Sequence, residues 1–288
     1  MCYHVDMWIA LLFASLVSNT GYSIITRRTF TSMKMDPLFL AAIMATSVAL
    51  PGIPGFFIAD FNWAVYDLRL ILVFVGSIVC AMLFHFVNAQ ALKLTEASVF
   101  SIFYNFQIGF ATFMGITILG EPLAPLRFVG GAFVFVAGLV LAGKGTVRPA
   151  GVFFSILAAL LIAALTAFDK YMIDGAGLAE YVFPSKILVA AALWAVVFFG
   201  KRPVEKTFLK SRSCYILMAF RCVAAYGIML ALSLGALMSV STYISTLTCV
   251  TTPIAAFFIL KETGSPVRKA VAAGIALAGV TFIFIATG

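Results

Sequence analysis

The sequence predicts an all-α integral membrane protein with ten transmembrane helices, arranged as two inverted five-helix repeats. Three observations predict this fold. Hydrophobic residues make up 63% of the chain and charged residues 10%, against about 45–50% and about 25% in a typical soluble domain. The apolar residues fall into long runs, each of roughly the 20 residues that a helix needs to cross a bilayer. A short motif at the end of the fourth run recurs at the end of the ninth.

The ten spans are expected at 7–26, 37–58, 69–91, 96–118, 127–143, 150–169, 181–199, 213–234, 238–260 and 268–286. Backbone groups in lipid must be bonded within the protein, and these runs are too long and too uniformly apolar for barrel strands, so each is expected to be a helix. Two prolines and two glycines interrupt span 2 at residues 50–55, where we expect a loop or a frayed helix end.

The duplication is visible as a degraded copy of one block. Residues 119–127, Leu-Gly-Glu-Pro-Leu-Ala-Pro-Leu-Arg, recur as residues 260–268, Leu-Lys-Glu-Thr-Gly-Ser-Pro-Val-Arg, at an offset close to half the chain length of 288. Because five is odd, the second copy enters the membrane from the opposite side. We therefore expect residues 1–146 and 147–288 to form inverted repeats within one compact membrane domain, which is the usual construction of a transporter.

The net charge of +8 does not indicate a nucleic-acid partner. The Lys and Arg residues lie at the ends of the apolar runs, not in a basic patch interleaved with aromatic residues, so they are expected to be interfacial anchors and topology signals. Most of them, 14 of 19, fall in the odd-numbered loops. The positive-inside rule then places these loops in the cytoplasm and both termini outside.

Span 1 carries Ser15, Asn19 and Tyr22 at a spacing that places them on one helical face. Polar side chains are costly against lipid, so this face is expected to line a cavity or to form interhelical hydrogen bonds. Span 3 carries His85 and Asn88. A histidine inside a membrane could relay a proton, or it could be a neutral group bonded to a neighbour.

Span 4 carries Ser101, Tyr104, Asn105 and Gln107, and the repeat maps these four onto span 9. The corresponding residues are Thr242, Ser245, Thr246 and Thr248. Polar groups at one depth in both copies are expected if the two spans together wall a binding site near the bilayer midplane. Tyr104 and the nearby Tyr243 could stack on an apolar or aromatic part of a solute.

Arg221 is the most informative single residue because it lies well inside span 8. A central arginine costs at least about 2.5 kcal/mol, so something must offset it. We expect its guanidinium to hold a carboxylate or phosphate of the solute. The alternatives are a structural pair with Asp169, or a span that begins later.

Acidic residues outside the spans are expected to be structural. Glu121 and Glu262 precede spans 5 and 10, where a carboxylate is favourable near the N-terminus of the helix that follows. The adjacent opposite charges of Asp169 and Lys170 close span 6 and are expected to be an anchor or charge pair near the interface.

Three features carry a family resemblance: the ends of spans 4 and 9, the glycine-bearing spans that follow them, and the basic residues Arg27 and Lys170 that close spans 1 and 6. In these features the chain resembles the EamA-type branch of the drug/metabolite transporter superfamily. The resemblance covers essentially the whole chain. It implies a substrate cavity surrounded by spans 1, 3, 4, 6, 8 and 9, with spans 5 and 10 peripheral. It also implies cytoplasmic termini, opposite to the charge distribution, so orientation stays open. Arg27 and Lys170 are candidate gating residues.

Together these features predict a secondary transporter that moves a small organic solute by alternating access. The cavity residues suit an amino-acid-like, zwitterionic or anionic solute. No nucleotide motif or metal-like cysteine or histidine spacing is present, so we expect no cofactor, no metal and no enzymatic activity. The alternatives are a multidrug or other metabolite exporter, or an intramembrane enzyme acting on a lipid-linked substrate.

The expected partners are the solute and the lipid bilayer, with a bacterial inner membrane as the expected location. Ala270, Gly274 and Ala278 form a ridge of small residues on span 10 that favours close helix packing, so the chain is expected to be a monomer or a homodimer.

Overall fold

The computed structural model describes residues 2–33, 35–58, 61–120, 129–133, 136–137, 140, 148–262 and 266–285. The described part is mainly helical, with no strand among these residues. The principal helices are α1 Cys2–Ser32, α2 Pro37–Ala49, α3 Gly52–Ile58, α4 Leu68–Leu94, α5 Ala97–Tyr104, α6 Gln107–Leu119, α7 Pro149–Ala176, α8 Leu178–Phe199, α9 Lys206–Leu209, α10 Arg212–Ser233, α11 Met238–Thr246, α12 Thr248–Ala255 and α13 Pro266–Ile285.

Six helical stretches in the described part are long and apolar enough to cross a membrane, which confirms a multi-pass membrane protein. They are Met7–Ser32, Leu68–Leu94, Ala97–Leu119, Pro149–Ala176, Leu178–Phe199 and Arg212–Ser233, and they correspond to predicted spans 1, 3, 4, 6, 7 and 8. Spans 2 and 9 contain shorter apolar helices, Pro37–Ala49 and Ile244–Leu260. Most of span 5 lies outside the described residues, so the number ten stays a prediction.

Short polar side chains fix where several of these helices begin. The Asp36 carboxylate accepts hydrogen bonds from the backbone N–H groups of Leu38 and Phe39 at the start of α2. Asp67 caps α4 in the same way through Leu70 N, and the Ser211 hydroxyl caps α10. Each of these side chains satisfies a donor that the first turn of a helix otherwise leaves unpaired.

Span 2 differs from the expected loop or frayed end. The helix is interrupted only at residues 50–51, and the chain re-forms a helix, α3, that packs on α8. The glycines that suggested a loop have a different role here, in the packing of α3 on α8. A Cβ on Gly55 would lie 2.5 Å from Cζ of Phe183, so the absent side chain leaves room for the Phe183 ring. Here the glycines serve helix packing.

The interior is organised around two long antiparallel contacts between the halves of the chain. Helix α1 packs along α10, and α4 packs along α7. Helices α2 and α8 also pack on each other, as do α5 and α12. Every one of these contacts joins residues before 147 to residues after it. The two halves are therefore interleaved, and a cavity between them is walled by both.

Predicted spans 4 and 9 are each interrupted near their middle. Span 4 is divided into α5 and α6 at residues 105–106, and span 9 is divided into α11 and α12 at Leu247. In both places the backbone tightens, with N–H groups bonding three residues back, as in Phe106 N to Phe103 O and Leu247 N to Ile244 O. Phe106 and Leu247 are separated by the offset of the sequence repeat, 141 residues.

Candidate functional site

A cavity of about 90 Å³ lies between the two halves of the chain. A space of roughly 10–15 Å³ by this measure holds one water, so the cavity has room for several waters or a small organic molecule. Its polar and charged lining residues are Asn19, Tyr22, Ser23, His85, Asn88, Ser101, Tyr104, Gln107, Thr166, Asp169, Lys186, Arg221, Ser241, Thr242, Ser245, Thr248 and Thr252. Apolar residues such as Phe84, Val48 and Ile228 complete the wall.

Arg221 faces this cavity from the interior of α10. The residue is only 8% exposed, and its guanidinium carbon lies 5.5 Å from the ring centres of both Tyr22 and Phe84. Its Nε has no hydrogen-bond partner, and no carboxylate of the described residues lies within ion-pair distance of it. The two rings support the charge through cation–π contacts, but the described residues supply no counter-ion for it. An uncompensated buried arginine is costly, so the cavity favours an anion.

Next to Arg221, a chain of hydrogen bonds orients Tyr22. The Asn88 side-chain amide donates to the Tyr22 hydroxyl at 2.5 Å, and that hydroxyl donates to the Met44 sulfur at 3.0 Å. These contacts connect α4, α1 and α2. His85 lies one turn before Asn88 on α4, is buried, and has no hydrogen-bond partner at Nδ1. It therefore presents an unpaired polar atom beside the cavity.

Asp169 also lines the cavity, but its partner is not Arg221. Its Oδ1 accepts hydrogen bonds from Lys186 Nζ at 3.0 Å and from the Tyr181 hydroxyl. The Lys186 ammonium in turn lies 5.1 Å from the centre of the Tyr181 ring. The structural pair of Arg221 with Asp169 that the sequence left open is therefore absent. Asp169 joins α7 to α8, where the sequence suggested an anchor near the interface.

The corresponding residues of predicted spans 4 and 9 behave alike. Ser101, Tyr104 and Gln107 line the cavity, and so do their counterparts in the second copy: Thr242, Ser245 and Thr248. The remaining pair, Asn105 and Thr246, is fully buried and lies outside the lining in both copies. Polar groups that match at the repeat offset therefore lie beside both interruptions and line one cavity.

Two further predicted residues are placed differently. Ser15 is fully buried and donates a hydrogen bond of 2.7 Å to the carbonyl of Ala224, so it joins α1 to α10 instead of facing the cavity. This is the interhelical alternative that the sequence left open for the polar face of span 1. The side chain of Tyr243 lies outside the described residues. Of the three residues predicted on this face, Asn19 and Tyr22 therefore line the cavity and Ser15 packs between helices.

A polar network connects several helices at one end of the bundle. The Glu262 carboxylate accepts hydrogen bonds from Ala97 N at 3.0 Å, and from Ser98 N at 3.2 Å and the Ser98 hydroxyl at 2.7 Å. Arg27 donates to the carbonyls of Leu92 and Lys93, and its Nε lies 4.0 Å from the same carboxylate. These contacts connect the end of α1 and the start of α5 to the segment after α12.

The sequence placed Glu262 before span 10 in a structural role, and it does precede α13, but its carboxylate contacts a different helix. Glu262 caps α5, which lies in the other half of the chain. Lys269 supports the arrangement by donating to Glu96 at 2.6 Å and to the Glu262 carbonyl at 3.2 Å. Glu121, the counterpart of Glu262, lies outside the described residues. Lys170, the counterpart of Arg27, forms an ion pair of 2.9 Å with the exposed Asp174 on its own helix.

Sequence reasoning missed Lys186. This residue falls within predicted span 7, lies in the third turn of α8 and is buried against the cavity. The available signal was a lysine within an apolar run, because ionisable residues inside a membrane span are rare and usually paired. Spans 2 and 7 thus contribute to the wall in addition to the spans that the resemblance implied.

Comparison with known proteins agrees with this architecture. A solved crystal structure shares the fold with a TM-score of 0.67, covering 95% of this chain and 97% of the other at 15% sequence identity. No curated protein matches the sequence. Residues 6–143 match the EamA-like transporter family. This match to residues 6–143 agrees with the resemblance to the drug/metabolite transporter superfamily that the sequence suggested.

Proposed function

We propose that the protein is a secondary transporter of a small organic solute that carries a carboxylate or phosphate, such as an amino-acid-like anion or zwitterion. The observation that carries this proposal is Arg221, a buried guanidinium that faces a polar cavity without a carboxylate partner among the described residues. A carboxylate or phosphate matches the guanidinium fork and supplies the missing counter-charge. The match of residues 6–143 to the EamA-like transporter family supports the transport of a small molecule.

The other cavity groups fit such a solute. Hydroxyls and amides from both halves surround the guanidinium and can bond the polar parts of a ligand, while the Tyr104 and Phe100 rings, 5.0 Å apart, offer a flat apolar wall. A lipophilic cation would need an unpaired acid. Asp169 is the only carboxylate among the described lining residues, and it is already neutralised by Lys186.

We further propose that residues 1–146 and 147–288 are inverted repeats that exchange access to the cavity. Three observations support this. The reciprocal packing of α1 on α10 and α4 on α7 is what an exchange of the two halves predicts. The matched interruptions at Phe106 and Leu247 and the matched lining residues fall at the repeat offset. Discontinuous helices in corresponding positions are a common feature of transporter binding sites.

In this mechanism, Arg27 and Glu262 belong to the gate. Their contacts join both halves at one end of the bundle, whereas Lys170 at the other end contacts only a residue of its own helix. We assign the structure to a state in which the Glu262 end is closed. Opening that end requires the Glu262 carboxylate to leave the start of α5, and solute binding at Arg221 favours the rearrangement by neutralising the cavity.

The test is Arg221→Gln, with Arg221→Lys to separate charge from fork geometry. The matched control is Arg212→Gln, which removes an exposed arginine from the first turn of the same helix. Binding is measured by thermal shift and by flux in proteoliposomes with pyruvate, glutamate, leucine, succinate and inorganic phosphate. A hydrogen-bonded charge contact contributes about 1.5–3 kcal/mol, so Arg221→Gln should weaken binding of the transported anion by roughly 10- to 100-fold. Unchanged affinity and unchanged preference among these probes in Arg221→Gln would contradict the proposal.

A further inference from the structure

The ion pair of Asp169 and Lys186, here called the buried pair, has no role in the solute contacts described above. Both residues are 7% exposed, and both line the cavity. The pair is held by the Tyr181 hydroxyl on the same carboxylate oxygen, Oδ1. No described hydrogen bond occupies Oδ2. Ionisable residues inside a membrane are costly to keep, and where they are kept they commonly mark ion or proton pathways.

Several titratable groups face the buried pair from the helices around it. On α4, Cys80 lies within electrostatic range of both members, and His85 lies within range of Lys186 and of Arg221. On α8, Tyr181 is the hydrogen-bond partner. On α10, the charged group is Arg221. Cys80 and Tyr181 carry no charge when protonated, and His85 carries none as a neutral imidazole. With these groups uncharged, the charges of the described lining residues are those of Arg221 and the buried pair.

These charges sum to one net positive charge when the cavity is empty. A transporter must expose its binding site to each side in turn, and moving a cavity with a net charge through the low-dielectric part of the membrane is unfavourable. A solute with one negative charge on Arg221 makes the loaded cavity neutral with the buried pair fully ionised. The empty cavity becomes neutral only if the buried pair gives up one proton, from the Lys186 ammonium to water in the cavity, which leaves an amine hydrogen-bonded to the Asp169 carboxylate.

We infer that the buried pair is the proton-coupling site, and that the protein carries one monoanionic solute together with one proton in an electroneutral step. The inference rests on the proposed function, because it assumes that an anion binds at Arg221. It narrows the solute class from anions and zwitterions to species with a single net negative charge. A zwitterion would leave the loaded cavity positive, and a dianion would leave it negative.

The experiment compares the driving forces for uptake in proteoliposomes of phosphatidylethanolamine and phosphatidylglycerol, with pyruvate and glutamate as monoanionic probes and leucine and succinate as comparators. An inward proton gradient and a potassium diffusion potential are applied separately. The variant is Asp169→Asn with Lys186→Gln, because removing both members of a buried pair is far less disruptive than removing one. The control is Asp174→Asn, a carboxylate on the same helix that is also paired with a lysine but is 57% exposed.

For the wild type and the control, accumulation of the monoanion should follow the proton gradient, about tenfold for each pH unit, and should not respond to the membrane potential. The double variant still binds an anion at Arg221 but has no proton to exchange. Its uptake should become insensitive to the proton gradient and should be driven by an inside-positive potential. This change of driving force is a readout that a purely structural role for the pair would not produce.

Three results would overturn the inference. The first is wild-type uptake that responds to the potential and not to the proton gradient. The second is a double variant that keeps proton-driven uptake. The third is loss of proton coupling in His85→Gln while the double variant keeps it, which would place the proton on His85. These outcomes leave anion transport intact. In contrast, an absence of Arg221-dependent flux for all probes would refute the proposed function, and this inference with it.

Discussion

The contact between Glu262 and α5 gives the sharpest prediction about stability. Glu262→Ala removes the acceptor of three hydrogen bonds and leaves the N–H groups of Ala97 and Ser98 unpaired in a partly buried position. A hydrogen bond to a charged group contributes about 1.5–3 kcal/mol, but the contributions are not additive and water can reach this end of the bundle, so we expect a total loss of about 3 kcal/mol. Glu262→Gln keeps one oxygen acceptor and should lose about half as much.

The measurement is thermal unfolding in detergent, followed by tryptophan fluorescence. The matched control is Glu205→Gln, an exposed carboxylate at the N-terminus of α9 that makes no capping hydrogen bond. We expect Tm to fall by several degrees for Glu262→Ala, by less for Glu262→Gln, and not at all for the control. A wild-type Tm for Glu262→Ala would refute the reasoning, because it would mean that the cap contributes nothing in solution and that the end of the bundle is held closed by other contacts.

The helix contacts give two further predictions, each checked by the same unfolding measurement. Gly55→Val should destabilise the protein by about 1–3 kcal/mol, because the new side chain would overlap the Phe183 ring, and the added change Phe183→Ala should recover part of the loss. Gly227→Ala should be harder to accommodate, because its Cβ would lie 2.8 Å from the backbone oxygen of Leu11, and a backbone carbonyl cannot turn away as a side chain can. The control for both is Gly109→Ala, which meets no atom within 4 Å. Equal Tm values for Gly109→Ala and Gly227→Ala would contradict the close approach of α1 and α10.

Composition and the length of the apolar runs were sufficient to predict the membrane class and the six long helices, because both depend on the solvent around each segment and not on its partners. The partners of charged groups could not be predicted in the same way. Glu262 was assigned to the helix next to it in sequence, but it caps a helix more than 160 residues away. Asp169 was considered as a partner for Arg221, but the closer cation in space is Lys186. An ion pair depends on the tertiary arrangement of the helices, and the sequence of a single helix contains little information about that arrangement.

The residues predicted from one helical face were only partly placed in the cavity. One face of α1 carries Ser15, Asn19 and Tyr22. The part of this face at Ser15 contacts α10, and the part at Asn19 and Tyr22 lines the cavity. Helical spacing shows that a polar face avoids lipid. It does not distinguish a face against another helix from a face against water, because both satisfy the same hydrogen-bonding groups.

The internal repeat was the more informative guide, and the interruptions of spans 4 and 9 show why. Proline and glycine, the residues that usually break helices, occur together at residues 50–55 of span 2, whereas span 7 has only Pro184 near its start. The matched interruptions occur instead at Phe106 and Leu247, where neither residue type is present and the backbone tightens by a change in hydrogen bonding. Local propensity therefore gave no signal. The pairs of polar residues around these positions did give a signal. Hydroxyls and amides recur there at the repeat offset, and such groups are costly against lipid, so they are expected to face protein or water in both spans.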